Sequence, residues 1–344
     1  MNIAITVDPE IPVPPLHYGG IERIVAMLID EYILLGHQVT VFAHESSTTK
    51  ANLISYPGQS SQSKVDTFRN MQTISAKIYK GNFDILHSFS RLAYMSFILP
   101  FKLPKIMSYQ RKPTPSQIRL AQKMAYKNSL CFTGCSDFIR DQISPYGDAI
   151  TVYNGFPDNT YSLKATVEKD APLVFLGRLE PVKGPHTAIE IALKSKRKLI
   201  IAGNIPAEYQ SYFNNRIAPF IDDQQIFFVG PVNDKEKAEL LKTACAFLMP
   251  IEWDEPFGIV MVEAMACGTP VIALDHGAVS EVIDNGITGY VCSNIDECVK
   301  SIVKVGSIKR NLVRQSAMSR FSANVISKKY LQLYKKRISI MNKQ

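Results

Sequence analysis

Short apolar runs alternate with helix-period segments along the whole chain, and this alternation restricts it to one class of architecture. Residues 2–7 are a strand-like apolar run. A Pro-rich loop between Pro9 and Pro15 follows, then Gly19 and Gly20. Residues 21–35 place Ile24, Val25, Met27, Leu28 and Ile29 on a helical period, Gly36 stops it, and residues 38–43 form the next run. Such a strand–helix–strand unit pairs its strands in parallel through a right-handed crossover. Further strands are expected at 85–88, 105–109, 130–134 and 149–153. The helices between them include 115–126 and one that Ser136 caps from Asp137. Residues 159–171 are polar and aperiodic and read as a linker. A second series then offers strands at 173–176, 198–202, 225–229, 246–249, 270–273 and 289–291. Its helices include 235–243 and 258–266, and a basic amphipathic helix is expected at 328–340. The expected fold class is α/β, two Rossmann-like, doubly wound domains, which suits 344 residues at roughly 150 per domain.

Composition narrows the function classes. Apolar residues make up 46% and charged residues 20%, a globular balance. No apolar run reaches the ~18–20 residues of a membrane span; the longest, 92–103, is broken by Pro100 and Lys102. The six cysteines form no CxxC pair, and Met1 leads straight into a strand without a basic leader. Reduced thiols and a cytoplasmic location are therefore expected. The formal charge of +8 is unevenly spread: residues 85–136 hold eight bases and no acid, and residues 299–344 twelve bases and no acid. Segregation of this kind suits an anionic partner, whether phosphate, lipid surface or nucleic acid. No helix-turn-helix, zinc or aromatic-stacking signature supports nucleic acid, and no Gly-x-Gly-x-x-Gly supports a nicotinamide enzyme.

Two segments carry the chemistry. In the first, Glu255-Pro256-Phe257-Gly258-Ile259 leads from a strand into a helix that carries Glu263. A helix N-terminus offers free N–H groups and a partial positive charge, and Gly258 lets an anion approach the backbone. Glu263 suits a ribose diol and Glu255 a sugar hydroxyl, since carboxylates accept paired hydrogen bonds. A surface Glu pair on a capped helix fits the same spacing. In the second segment, Gly177-Arg178-Leu179-Glu180-Pro181-Val182-Lys183-Gly184, two cations bracketed by glycines suit a diphosphate clamp. An ordinary solvated turn also fits.

Together these segments resemble the GT-B-fold family 4 glycosyltransferases. Residues 177–184 match the family's GRL…KG element, and residues 255–263 its Glu, seven residues, Glu element in the EPFG form. Residues 263–272 match the EAMACGTPVI extension, Asn154-Gly155 the NG turn, and residues 19–23 and 36–40 the N-terminal signatures. The resemblance spans essentially the whole chain, in the expected order. It implies a retaining transfer of a hexose from a nucleotide-diphosphate sugar, UDP-sugar favoured, across a cleft between the domains. The acceptor would be a glycan, a lipid-linked glycan or a small molecule. It implies an acceptor-side domain at 1–160, a nucleotide-sugar domain at 161–322, and a last helix, 323–344, packing back on the first domain. Arg178 and Lys183 would neutralise the leaving diphosphate, and Phe257, Gly258 and Ile259 would give backbone N–H groups. Glu255 would orient the sugar and Glu263 the ribose; Gly177 would line the donor loop, Pro231 and Val232 the base, and Gly19 and Gly20 would approach the diphosphate. No cofactor or metal is implied, and the chain holds no Asp-x-Asp. A nucleic-acid-binding or non-catalytic relative of the same fold is the alternative.

The family's His-x-His element is altered here. His87 stands at its first position as a candidate catalytic residue or a core histidine, while Phe89 takes the second, leaving Ser88, His17 or backbone as substitutes. Gln110, Arg111 and Ser136 follow first-domain strands and are candidates for the acceptor. Both acid-free stretches would lie on the first domain, making a basic face for an anionic acceptor or the inner membrane surface.

Overall fold

The computed structural model describes residues 1–16 and 19–343 and divides the chain into two compact units, Met1–Asn154 with Ala323–Gln344, and Gly155–Ser322. Among the described residues, the first unit holds seven strands: β1 (Asn2–Thr6), β2 (Gln38–Ala43), β3 (Asn52–Ser55), β4 (Ile85–Ser88), β5 (Lys105–Tyr109), β6 (Leu130–Gly134) and β7 (Ala149–Thr151). They run in the order β3-β2-β1-β4-β5-β6-β7, every pair parallel. Sequence reading overlooked β3, whose four residues are half-buried or exposed and offer only Leu53 and Ile54 as apolar signal. Helices α1 (Gly20–Leu34), α2 (Lys64–Lys80), α3 (Pro115–Met124) and α4 (Asp137–Ile143) connect these strands. One face of α1 buries Ile24, Val25, Leu28 and Ile29, and Ser63 caps α2 by accepting from the Asp66 N–H.

The second unit repeats the plan. Its strands β8 (Leu173–Leu176), β9 (Leu199–Ala202), β10 (Ile226–Gly230), β11 (Ala246–Met249), β12 (Val271–Leu274) and β13 (Gly289–Cys292) lie in the order β10-β9-β8-β11-β12-β13. All are parallel, and the interior strands are apolar almost throughout, as a sheet covered on both faces requires. Helices α5 (Pro185–Ser195), α6 (Gln210–Arg216), α7 (Asp234–Thr243), α8 (Ile259–Ala266), α9 (Val279–Val282), α10 (Ile295–Lys304) and α11 (Arg310–Phe321) accompany them.

The last helix, α12 (Ala323–Asn342), belongs to the first unit and starts earlier than its basic period suggested. It buries Tyr330 and Tyr334; the Tyr334 hydroxyl lies 3.0 Å from that of Tyr32, and Arg337 is ion-paired with Asp148. The division between units falls after Asn154, not after residue 160. Residues 159–171 are not a loose linker, because the second unit binds them. The Arg310 Nε donates to the Lys164 carbonyl at 2.6 Å, Arg314 donates to the Tyr161 carbonyl at 2.8 Å, and Tyr161 is buried.

Charge follows the units differently from the sequence reading. The first carries 21 Lys and Arg against 11 Asp and Glu, the second 18 against 20. Half of the bases in 299–344 precede Ala323 and so belong to the second unit. Lys105, Arg310 and Arg337 are buried and add nothing to a basic surface. All six cysteines are buried, and no helix among the described residues is long and apolar enough to cross a membrane.

Candidate active site

In the second sheet the chain direction of the strand order reverses between β8 and β11, which are neighbours. At such a switch point the loops beyond the carboxyl ends diverge and leave a crevice for a ligand. The two segments singled out by sequence are those two loops. Beyond β8 come Gly177, Arg178 and a short 3-10 turn, Pro181–Lys183. The Arg178 Nη2 lies 2.8 Å from Glu180 Oε1. Gly184 ends the turn at φ 72° and caps α5; a Cβ there would stand 1.9 Å from the Pro250 carbonyl oxygen. Only glycine permits that approach, which joins the first loop to the one leaving β11. The Glu252 N–H completes the join by donating to the Val182 carbonyl at 2.9 Å.

The join brings Lys183 to Glu255. The Lys183 Nζ donates to Glu255 Oε2 at 2.7 Å, and Trp253 Nε1 donates to the same oxygen at 2.7 Å. The ammonium also stands 4.6 Å from the centre of the Trp253 ring, a cation–π contact. Behind Glu255, the Ala278 N–H donates to its carbonyl at 2.9 Å. Phe257 is buried edge-on to Phe321, centroids 5.7 Å apart. Gly258, at φ 80°, then turns the chain into α8. No side chain caps α8 and no acid lies in its first turn; the Met261 N–H donates to the Gly258 carbonyl at 2.9 Å, and the N–H of Ile259 comes before that bond, at the positive end of the helix.

Glu263, deeper in α8, is 1% exposed. Its Oε1 accepts from the Tyr161 hydroxyl and from the Lys237 ammonium, both at 2.6 Å. Pro231 is exposed and Val232 half-buried, between Gly230 at φ 75° and Asn233, which caps α7 in a reciprocal box with Glu236. Tyr161, Lys237 and Trp253 escaped sequence reading. Tyr161 lay in an aperiodic stretch and Lys237 in an ordinary charged helix; Trp253 had a signal, as the chain's one tryptophan two residues before Glu255.

In the first unit, Gly19 has φ 152°, and a Cβ on it would meet Pro15 at 2.6 Å. Gly20 opens α1, and burial pushes the nearby Glu22 carboxyl up to about 6. His17 lies outside the described residues. His87 corrects the expectation of a catalytic histidine. It is wholly buried, with Nδ1 2.5 Å from the Tyr334 hydroxyl and Nε2 2.6 Å from that of Ser108. Phe89 and Tyr330 lie tilted against it, ring centres 4.2 and 4.7 Å away, and burial holds it neutral, down to about 3. Ser88 is likewise buried, bonded to Thr6 and Ser90. Ser136 is corrected too: it is fully buried and its hydroxyl caps α4 by accepting from the Ile139 N–H at 3.1 Å, so it is not open to an acceptor. Gln110 is half-buried and accepts from Asn154 Nδ2 at 2.7 Å, whereas Arg111 is exposed and paired with Asp8 at 3.0 Å. Among the described residues, no group of three His, Cys, Asp or Glu is gathered to hold a metal ion.

The family described as Glycosyltransferase Family 4 matches residues 18–159, and that described as Glycosyl transferases group 1 matches residues 163–315. A phosphatidyl-myo-inositol mannosyltransferase of Mycobacterium tuberculosis is 26% identical over 302 residues, covering 79% of this chain and 78% of its own. Among solved structures, AviGT4, a glycosyltransferase involved in Avilamycin A biosynthesis, superposes with TM-score 0.75 at 24% identity, covering 98% of each chain. Anabaena Alr3699/HepE, solved in complex with UDP-glucose, superposes with TM-score 0.74 at 18% identity, over 98% of this chain and 100% of that one. The two family matches fall in chain order on the two sheets and together take in most of the sequence, and the chain belongs to the family 4 glycosyltransferases, with their GT-B fold.

Proposed function

We propose that this glycosyltransferase moves a hexose from a nucleotide-diphosphate sugar, with UDP as the favoured nucleotide, and retains the anomeric configuration. The observation that carries the reading is the convergence of Lys183, Trp253 and Glu255 directly ahead of the uncapped start of α8. A diphosphate seated there meets the Lys183 ammonium, the Arg178 guanidinium and the N–H groups of Gly258 and Ile259. These charges stabilise the leaving group as the anomeric C–O bond breaks, so the reaction as proposed calls for no metal ion. Lys183 then exchanges its carboxylate partner for phosphate, and Glu255 is released to accept from sugar hydroxyls. The Oε2 of Glu263 is the oxygen available to a ribose diol, since its two bonds here end on Oε1. Pro231 and Val232 would flank the base. UDP-glucose in the HepE structure supports the choice of donor.

Retention through a covalent intermediate needs a carboxylate on the far face of the sugar. Without a candidate for that role, we favour attack on the same face: the acceptor oxygen bonds to the anomeric carbon while its proton passes to the departing phosphate. Arg111 and Gln110 are the acceptor candidates that remain. The positive first unit suits an anionic acceptor or the anionic face of a membrane, and a cytoplasmic enzyme peripheral to it. Liposome flotation that shows no preference for anionic over neutral lipid would remove that part.

The main test is a screen of nucleotide sugars by thermal shift and donor hydrolysis, which reads the donor site whatever the acceptor. One donor should stabilise the protein and be slowly hydrolysed. Lys183→Ala should cut turnover at least ~100-fold while the fold survives; near-normal turnover would overturn the role given to Lys183.

A further inference from the structure

Two separate pieces of the second unit end on a single oxygen of a third. Tyr161 comes from the segment before β8, Lys237 from α7 and Glu263 from α8. The hydroxyl and the ammonium each reach Glu263 Oε1 at 2.6 Å, and the ammonium stands 5.5 Å from the Tyr161 ring centre. Glu263 is 1% and Lys237 7% exposed. Asp234, one helical turn before Lys237, lies 3.4 Å from its ammonium. A buried ion pair is not the cheapest way to join two helices, since apolar side chains of similar size often do as well or better. What the pair does provide is a fixed carboxylate: with both donors on one oxygen, the other can point in only one direction.

We infer that Lys237 and Tyr161 are positioning residues for the donor's ribose, holding Glu263 by Oε1 so that Oε2 meets the ribose diol. This rests on the proposed role of Glu263 as ribose acceptor. Neither residue touches the donor. Lys237 supplies the charge that keeps a buried carboxylate in place, and Tyr161 sets its plane.

The experiment compares binding of a nucleoside diphosphate, with the base the donor screen selects, to its 2′-deoxy and 3′-deoxy forms by titration calorimetry on the full chain. Inorganic pyrophosphate reads the cation pair and the start of α8 alone. Wild type should prefer the ribose form over at least one deoxy form by roughly tenfold or more, as for a lost charge-assisted hydrogen bond. In Lys237→Met that preference should shrink to within about threefold, with pyrophosphate affinity held within about twofold. Tyr161→Phe, which loses one hydroxyl and keeps the ring, should lose part of the preference and serves if the Lys237 variant does not fold. A variant that weakens ribose and deoxy forms equally, with the preference intact, overturns the inference and leaves the Glu263 role standing. A wild type that binds all three forms alike removes the Glu263 role itself, and the inference with it.

Discussion

His87 has the residue type and the strand position of a catalytic group, yet its surroundings make it a core residue. Two hydroxyls occupy its nitrogens and the rings of Phe89, Tyr330 and Tyr334 pack around it. Its protonation still matters to the molecule, through stability. Burial lowers its folded value from 6.5 to about 3, so the unfolded chain binds the proton across that interval and the folded chain does not. The contribution is present above pH 6.5 and lost as pH falls to about 3, on the order of 5 kcal/mol over the whole interval. Lys105 gives a slope of the same sign at higher pH. Its ammonium donates to the carbonyls of Phe101 and Leu103 and to the Ser129 hydroxyl, and burial lowers it to about 7 from 10.5. The unfolded chain therefore holds the extra proton between pH 7 and 10.5, and stability rises with pH there. Denaturant titrations from pH 3 to 7 should show a steep acid slope in wild type and a shallower one in His87→Gln, which has no ring to protonate. Equal slopes would mean that other groups carry the acid sensitivity.

Among the elements, the donor loops depend on glycines in two distinct ways. At Gly258 the left-handed backbone, φ 80°, is the constraint; an added Cβ would meet the methyl ends of Met261 at 2.7 Å and Met249 at 2.9 Å, which can move aside. Gly258→Ala should therefore cost about 1–2 kcal/mol, the left-handed penalty for an L side chain. At Gly184 the obstacle is the Pro250 carbonyl oxygen, 1.9 Å from the added Cβ, and backbone cannot step aside so cheaply. Gly184→Ala should cost more than Gly258→Ala in denaturant unfolding. It should also weaken pyrophosphate binding more, because it moves the Lys183 turn away from Glu255; the opposite ranking would argue against a join that positions Lys183. These elements also mark how far sequence reading reached. The interior strands were legible because burial on both faces leaves unbroken apolar runs such as Ile85-Leu86 and Phe247-Leu248-Met249. The two donor loops were legible because their glycines and charges stand at fixed spacing. Edge strand β3 was not, because half-exposed residues carry little pattern. Nor were Tyr161 and Lys237, since partners 102 and 26 residues from Glu263 leave no local trace. Ser136 was read both as a helix cap and as an acceptor ligand, and burial decided for the cap.

For the molecule as a whole, the chain completes its first unit with its last helix. Tyr330 and Tyr334 of α12 are buried, and their hydroxyls complete a chain that runs through Tyr32, His87, Ser108 and Thr133. Cutting the chain after Ser322 removes both rings, strips the Asp148 carboxylate of Arg337, and leaves the Nδ1 of His87 without its partner. Each lost buried aromatic is worth about 3–5 kcal/mol and the buried Nδ1 of His87 left unpaired about 1–3 kcal/mol, while the half-exposed Asp148 carboxylate returns to water. Together these losses are of the same size as the roughly 5–15 kcal/mol that typically holds a domain folded. The second unit loses no residue in the cut, and its Phe156–Phe321 backbone bond, 3.1 Å, lies inside the retained chain. Hydrogen exchange on a chain ending at Ser322 should therefore show the amides of β1, β4 and β5 exchanging rapidly while those of β8, β11 and β12 stay protected. Full protection of β1 and β4 in that chain would mean that the first sheet holds its core without the tyrosines of α12. Uniform loss in both sheets would mean that the units fold as one cooperative body, so that damage to either is felt in both.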